Sequence, residues 1–239
     1  SKNRFDYLKA EEYFDIHQIL DTATFATLAS THSSYPKMHW EDGSLHVVLI
    51  GLIYNMNDSN LKEEMRNITL KLKEKDKSGI VSFVDKADGD YIIQLYDYDS
   101  KRVTIFNDYS GRLPFYYSDD GDKIILSSEV KFCLRERRKT TIDKLSVAER
   151  LLYDFQLGNR TLFKEIIRLQ SAEMLTIDKF GLKMEKTVDL HYNLSDAYRS
   201  KKASIDNLVD IYKESVQNRV STLKEKGFHI ISDLSGGYD

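Results

Sequence analysis

The residues best suited to chemistry lie at the end of the sequence, in Leu234-Ser235-Gly236-Gly237-Tyr238-Asp239. An apolar run at residues 228–233 leads straight into them and reads as a buried strand. Two glycines directly after such a strand let the backbone turn tightly and bring its N–H groups close to an anion. The Ser235 hydroxyl adds a donor, and Asp239 is placed to hold Mg²⁺ on the phosphates of a bound ligand. A glycine pair at a turn is commonplace, so a plain loop is the alternative. The helix and strand expected before it favour the phosphate reading.

Other candidates for chemistry are sparse. The six histidines include no His-x-x-x-His pair, which argues against a metal site. The single cysteine, Cys133, reads as a buried small hydrophobe, and one thiol excludes both a disulfide framework and a multi-thiolate site within the chain. Trp40 and the Tyr116-Tyr117 pair read as packing, and Arg219, Lys224 and Lys226 as a solvated helix face.

Several elements are required to position these groups. Periodicity predicts a helix over residues 7–20, a strand over 22–30, and turns near Pro36 and at Glu41-Asp42-Gly43. The apolar run 45–50 has the pattern of a strand covered on both faces. Residues 58–75 form a helix with Leu61, Met65, Ile68 and Leu72 on one stripe, capped by Asp58 or Ser59. After Gly89 the period shortens, and strands at 91–96, 103–106, 115–117 and 123–126 form an antiparallel meander. Serine-capped helices are predicted at 128–135 and 146–153, and a hairpin over 173–177 and 182–186. The polar stretch 193–203 reads as a linker. An amphipathic helix then runs to about residue 226 and stops at Gly227.

The chain has 239 residues, 41% of them hydrophobic and 31% charged, enough for one large core or for one domain and part of another. With 35 basic and 38 acidic residues the net charge is −3, so no electrostatic footprint for nucleic acid is present. No apolar run reaches the roughly 18 residues of a membrane helix, and nothing at the start reads as a signal peptide. Sparse cysteine fits a reducing compartment, most simply the cytoplasm.

The order of short motifs resembles the asparagine synthetases. The terminal Ser-Gly-Gly-x-Asp is similar to the pyrophosphate-binding loop of the ATP-pyrophosphatase superfamily. Upstream, Gly89-Asp90-Tyr91, then Asn107-Asp108-Tyr109-Ser110-Gly111-Arg112-Leu113-Pro114-Phe115-Tyr116-Tyr117, Leu126-Ser127-Ser128-Glu129-Val130-Lys131 and Thr161-Leu162-Phe163 resemble the glutaminase half of that family. The resemblance implies an α+β domain at residues 1–192, a four-layer sandwich of the N-terminal-nucleophile type with antiparallel sheets between helices. It implies that residues 204–239 begin an α/β ATP-binding domain, with ATP on Ser235, Gly236, Gly237 and Asp239, and Mg²⁺ on Asp239. In such enzymes a carboxylate is adenylated, and a nitrogen nucleophile then displaces AMP to form an amide.

The same resemblance implies a degenerate glutaminase site. The working family uses an amino-terminal cysteine as nucleophile; here Ser1 is the only conceivable stand-in, and Lys2-Asn3-Arg4 does not resemble the apolar strand that should follow. The family's Asn-Gly-Glu-Ile-Tyr-Asn appears as Ile50-Gly51-Leu52-Ile53-Tyr54-Asn55. Ile50 stands where an oxyanion donor belongs, a loss on the order of 10²–10³ in rate. Leu52 stands where a carboxylate would help to hold substrate. Gly51 and Asp90 remain of the substrate site. The expectation is an inactive glutaminase-like half of an amide-forming ligase, with no cofactor of its own. The alternatives are a β-lactam-synthetase-like or peptide-cyclase-like ligase using an amine on its own substrate, or a non-enzymatic binding or scaffolding domain. An unpaired strand and helix face at 204–239 further predict self-association.

Overall fold

The computed structural model describes residues 16–30, 36–188 and 200–231. In chain order the elements are β1 (Ile16–Asp21), β2 (Ala26–Ser30), β3 (Lys37–Asp42), β4 (Leu45–Ile53), α1 (Asp58–Lys73), α2 (Ser78–Lys86), β5 (Gly89–Asp97) and β6 (Arg102–Asn107). They continue with β7 (Tyr116–Asp119), β8 (Ile124–Ser127), α3 (Val130–Glu136), α4 (Lys144–Tyr153), β9 (Ile167–Arg168), β10 (Glu173–Asp178), β11 (Gly181–Lys186) and α5 (Lys201–Glu225). The strand pairings are antiparallel throughout.

The main sheet has six strands in the order β11-β10-β6-β5-β4-β3. Side chains alternate across it, as the strand period requires. Leu45, Val47, Leu49 and Ile53 of β4 and Tyr91, Ile93 and Leu95 of β5 pack with Leu61, Met65 and Ile68 of α1 and Ile80, Phe83 and Val84 of α2. On the other face Ile92, Tyr96, Val103, Ile105 and Leu175 pack with Leu20 of β1 and with Leu113, Phe115 and Leu169. Tyr117 and Leu126 bring the three-stranded sheet, β8-β7-β9, onto the same cluster. Beyond it, Cys133, Val130 and Leu134 of α3 close on Ile125 and Ile166. The layers run helix, sheet, sheet, helix.

Several elements depart from the periodicity. Residues 16–21, read as the end of a helix, form β1 instead, because pairing with β2 places Leu20 in the core between the sheets. Residues 78–86, too short a run for periodicity to single out, form α2, whose Ile80, Phe83 and Val84 have the i, i+3, i+4 spacing of a buried helix face. The expected meander is broken: β6 pairs with β10 rather than β7, because the turn at 108–115 carries the chain to the second sheet. Caps differ as well. Asn57 caps α1 and Asp143 caps α4, while α3 has no side-chain cap.

At the carboxy-terminal side, Ser200 caps α5 through Ala203 N–H, so the helix takes in residues 201–203 of the expected linker. Residues 228–231, the described part of the expected strand, are not in a strand. No described strand lies alongside to exchange backbone hydrogen bonds with them. The boundary expected at residue 192 lies outside the described residues.

Candidate functional site

The expected glutaminase remnant is built where β4 ends and β5 begins. The register pairs Ile50 with Ile92, Gly51 with Tyr91 and Leu52 with Asp90. Gly51 has φ +99° and donates its N–H to the Pro36 carbonyl at 2.8 Å. A Cβ there would overlap the Asp90 carbonyl oxygen and sit 2.8 Å from Leu113 Cδ1, so only glycine fits. Ile50 packs among Leu113, Phe25 and Ile92, in the apolar layer between the sheets. Leu52 is buried at the edge of a cleft of about 300 Å³. The cleft is shared with Lys37, Met56, Asp58, Lys226 and Phe228, and burial pushes the Lys37 amine down. Neither the Ile50 nor the Leu52 side chain offers a polar atom.

Asp90 is crowded with donors. Tyr54 Oη donates to its Oδ2 at 3.1 Å, and Arg112 Nη1 to its Oδ1 at 3.1 Å. Arg219 Nη1 lies 3.8 Å from Oδ2, while Arg219 Nη2 donates to Asp88 Oδ1 at 2.9 Å. The Arg219 guanidinium also covers the Tyr54 ring, 4.3 Å from its centroid. Burial, and then the charge of Asp90, push the Tyr54 hydroxyl up, with Arg219 opposing. The bond to Asp90 raises Arg112 further. The backbone beneath is tied by Tyr54 N–H to the Asp88 carbonyl (2.7 Å), Asp88 N–H to Asn55 Oδ1 (3.0 Å) and Asn55 Nδ2 to the Lys86 carbonyl (2.8 Å).

Asp108 organises the neighbouring turn. Its side chain is 1% exposed and accepts from Tyr91 N–H at 3.2 Å and Ser110 N–H at 2.9 Å. Burial raises its carboxyl above the ordinary range, and those backbone bonds oppose the shift. Gly111, at φ +60°, lets the chain pass Ser171 where a Cβ would sit 2.7 Å from Ser171 Cα. Asn107 closes the turn, donating to the Gln170 carbonyl at 2.7 Å and accepting from Glu173 N–H at 3.0 Å.

A family profile, that of the glutamine amidotransferase domain, matches residues 11–188. The chain belongs to that family. No curated protein matches the chain. Among solved structures, this amidotransferase-like chain is similar to the allosteric regulatory enzyme of purine biosynthesis, at 15% identity and a TM-score of 0.36, over 61% of this chain and 29% of that one. It is also similar to glutamine phosphoribosylpyrophosphate amidotransferase from B. subtilis complexed with ADP and GMP, at 14% identity and 0.36, over 65% and 32%. The chain therefore spans no more than about a third of those structures.

Within this amidotransferase domain, Gly51, Leu52 and Asp90 meet at one place, and Ile50 beside them faces the core. Ser1, Ser235, Gly236, Gly237 and Asp239 lie outside the described residues. Cys133 sits in the far helix layer, its thiol pushed up to about 11 by burial. Among the described residues no group of three His, Cys, Asp or Glu is arranged to hold a metal ion, and no helix is long and apolar enough to cross a membrane. Arg219 corrects the reading of a solvated face: it is half-buried between two carboxylates. Its role is hidden from the sequence because its bonded partner, Asp88, lies 131 residues away in the chain. Tyr54 and Arg112 lie in the runs Ile50–Asn55 and Asn107–Tyr117, but nothing in their spacing points to Asp90.

Proposed function

We propose that this chain is a catalytically silent glutamine amidotransferase-like half of an asparagine-synthetase-like, ATP-dependent amide-forming ligase. The observation that carries the silence is Ile50, whose side chain is committed to the apolar layer at the position where amide hydrolysis needs an oxyanion donor. Leu52 adds no charge to replace one, and the buried thiol of Cys133 lies in another layer. On this reading the nitrogen arrives as free ammonia or as an amine on the substrate, the second case being that of a β-lactam-synthetase-like or peptide-cyclase-like ligase. The ligase part of the proposal rests on the sequence pattern Ser235-Gly236-Gly237-Tyr238-Asp239, with ATP on that loop and Mg²⁺ on Asp239. A reducing, cytoplasmic setting suits a chain with one buried thiol.

The test is ammonia release from glutamine. We expect the full chain to release no more than a heat-denatured control. Release above that control, lost in Asp90→Asn, would overturn the reading.

A further inference from the structure

Helix α5 is held in an unusual way. It runs for 25 residues without one buried residue, and positions 201–214 are exposed throughout. Its half-buried positions, Ser215, Asn218, Arg219, Val220, Thr222 and Leu223, lie in its carboxy-terminal half. Ser215, Arg219 and Thr222, with the exposed Lys226 just past the helix end, recur at spacings of four, three and four, one face of a helix. Each residue of this face reaches the amidotransferase domain: Ser215 Oγ is 3.5 Å from Asp88 Oδ2, Thr222 Oγ1 donates to the Tyr54 carbonyl at 2.9 Å, and Lys226 Nζ to Asp58 Oδ1 at 3.3 Å. Arg219 is the centre of this face, bonded to Asp88, near Asp90 and stacked on Tyr54.

We propose that Arg219 is an intramolecular cation that latches α5 onto the degenerate substrate site, so that docking of the helix and binding of a ligand's ammonium or guanidinium group at Asp90 exclude one another. Two carboxylates, Asp88 and Asp90, face two guanidinium groups, Arg112 and Arg219, which offset their charge, with the buried Asp108 also acting on Arg112. With Arg112 and Arg219 both at Asp90, a further cation gains little attraction there unless Arg219 leaves. Arginine suits this place because its planar fork bridges two carboxylates while its face lies on the tyrosine ring, which a lysine cannot do. No residue of α5 is fully buried and only Val220 and Leu223 are half-covered apolar side chains, so the polar face carries much of what keeps the helix in place. The proposal deepens the reading of a silent site by naming what now holds its carboxylate. Its test uses no turnover, so its failure leaves the glutaminase assay untouched.

Hydrogen exchange on the full chain reads the latch directly. We expect Arg219→Ala to speed exchange of the α5 amides by about tenfold or more, and Arg219→Lys to recover only part of the protection. Amides of β5 should keep their native rates, showing that the domain remains folded. Asp88→Asn should speed α5 exchange too, and combined with Arg219→Ala should add little. Methylguanidinium, a probe of the same charge and shape, should shift the Tyr54 and Asp90 amide resonances of Arg219→Ala and not those of the native chain. Unchanged α5 exchange in Arg219→Ala, full rescue by lysine, or equal probe shifts in both proteins would overturn the proposal.

Discussion

At Ile50, Gly51 and Leu52 one short stretch of β4 serves two masters. Gly51 has the φ +99° backbone that brings β4 against the Asp90 carbonyl. The residues on either side have joined the apolar packing. The framework residue should be the one the fold cannot lose. Gly51→Ala combines an unfavourable φ with overlap against backbone atoms that cannot turn away, and we expect it to cost about 3 kcal/mol or more in urea denaturation. A loss under 1 kcal/mol would mean the two strands slide apart cheaply. The glycine and its apolar neighbours were legible in the sequence because they are contiguous and sit in a recognisable run. What Asp90 touches was not. Tyr54, Arg112 and Arg219 converge on it from separate segments, and only the fold brings them within 4 Å.

At the scale of elements, alternation and helical spacing located β4, β5, β6, α1 and the β10–β11 hairpin, because each buries a face of constant period. The failures came where pairing overrides period. The β1 strand is made by β2, and α2 is short enough that its three buried residues do not stand out. The α4 helix shows how a cap and a distant ion pair substitute for burial. Its Glu149 is bonded to Arg160 and accepts from Leu157 N–H at 3.1 Å, fixing the loop that follows the helix. The Arg160 bond first, and the Leu157 bond after it, hold the Glu149 carboxyl below its ordinary range although burial opposes them. A depressed carboxylate contributes stability that is fully present above its unfolded pKa of about 4.3 and is lost as pH falls through the folded value. Melting temperatures followed from pH 7 to about pH 3 should therefore fall more steeply in the native chain than in Glu149→Gln. Parallel curves would remove Glu149 from the acid response.

Among the described residues, two apolar stretches face solvent. One lies on and after α4, where Leu151 and Leu152 are 81% and 74% exposed and Tyr153 and Phe155 follow them. The other runs along the free half of α5, where Ile205, Leu208, Val209, Tyr212 and Val216 fall at helical spacing and all are exposed. The latch at Arg219 anchors only the end of α5 and leaves this stripe uncovered among the described residues. Five large apolar side chains on one helix stripe are a surface that water disfavours, and a second copy of the same stripe is its simplest cover. We therefore expect the full chain to self-associate through α5, its mass by light scattering rising with concentration below about 100 μM. Leu208→Glu with Tyr212→Glu should return it to a monomer, since each buried copy would then place like charges in an apolar seam. Leu151→Glu with Leu152→Glu should leave the association unchanged. The reverse pattern would move the contact to α4, and a native chain that stays monomeric over that range would mean that neither stripe pairs with its own copy.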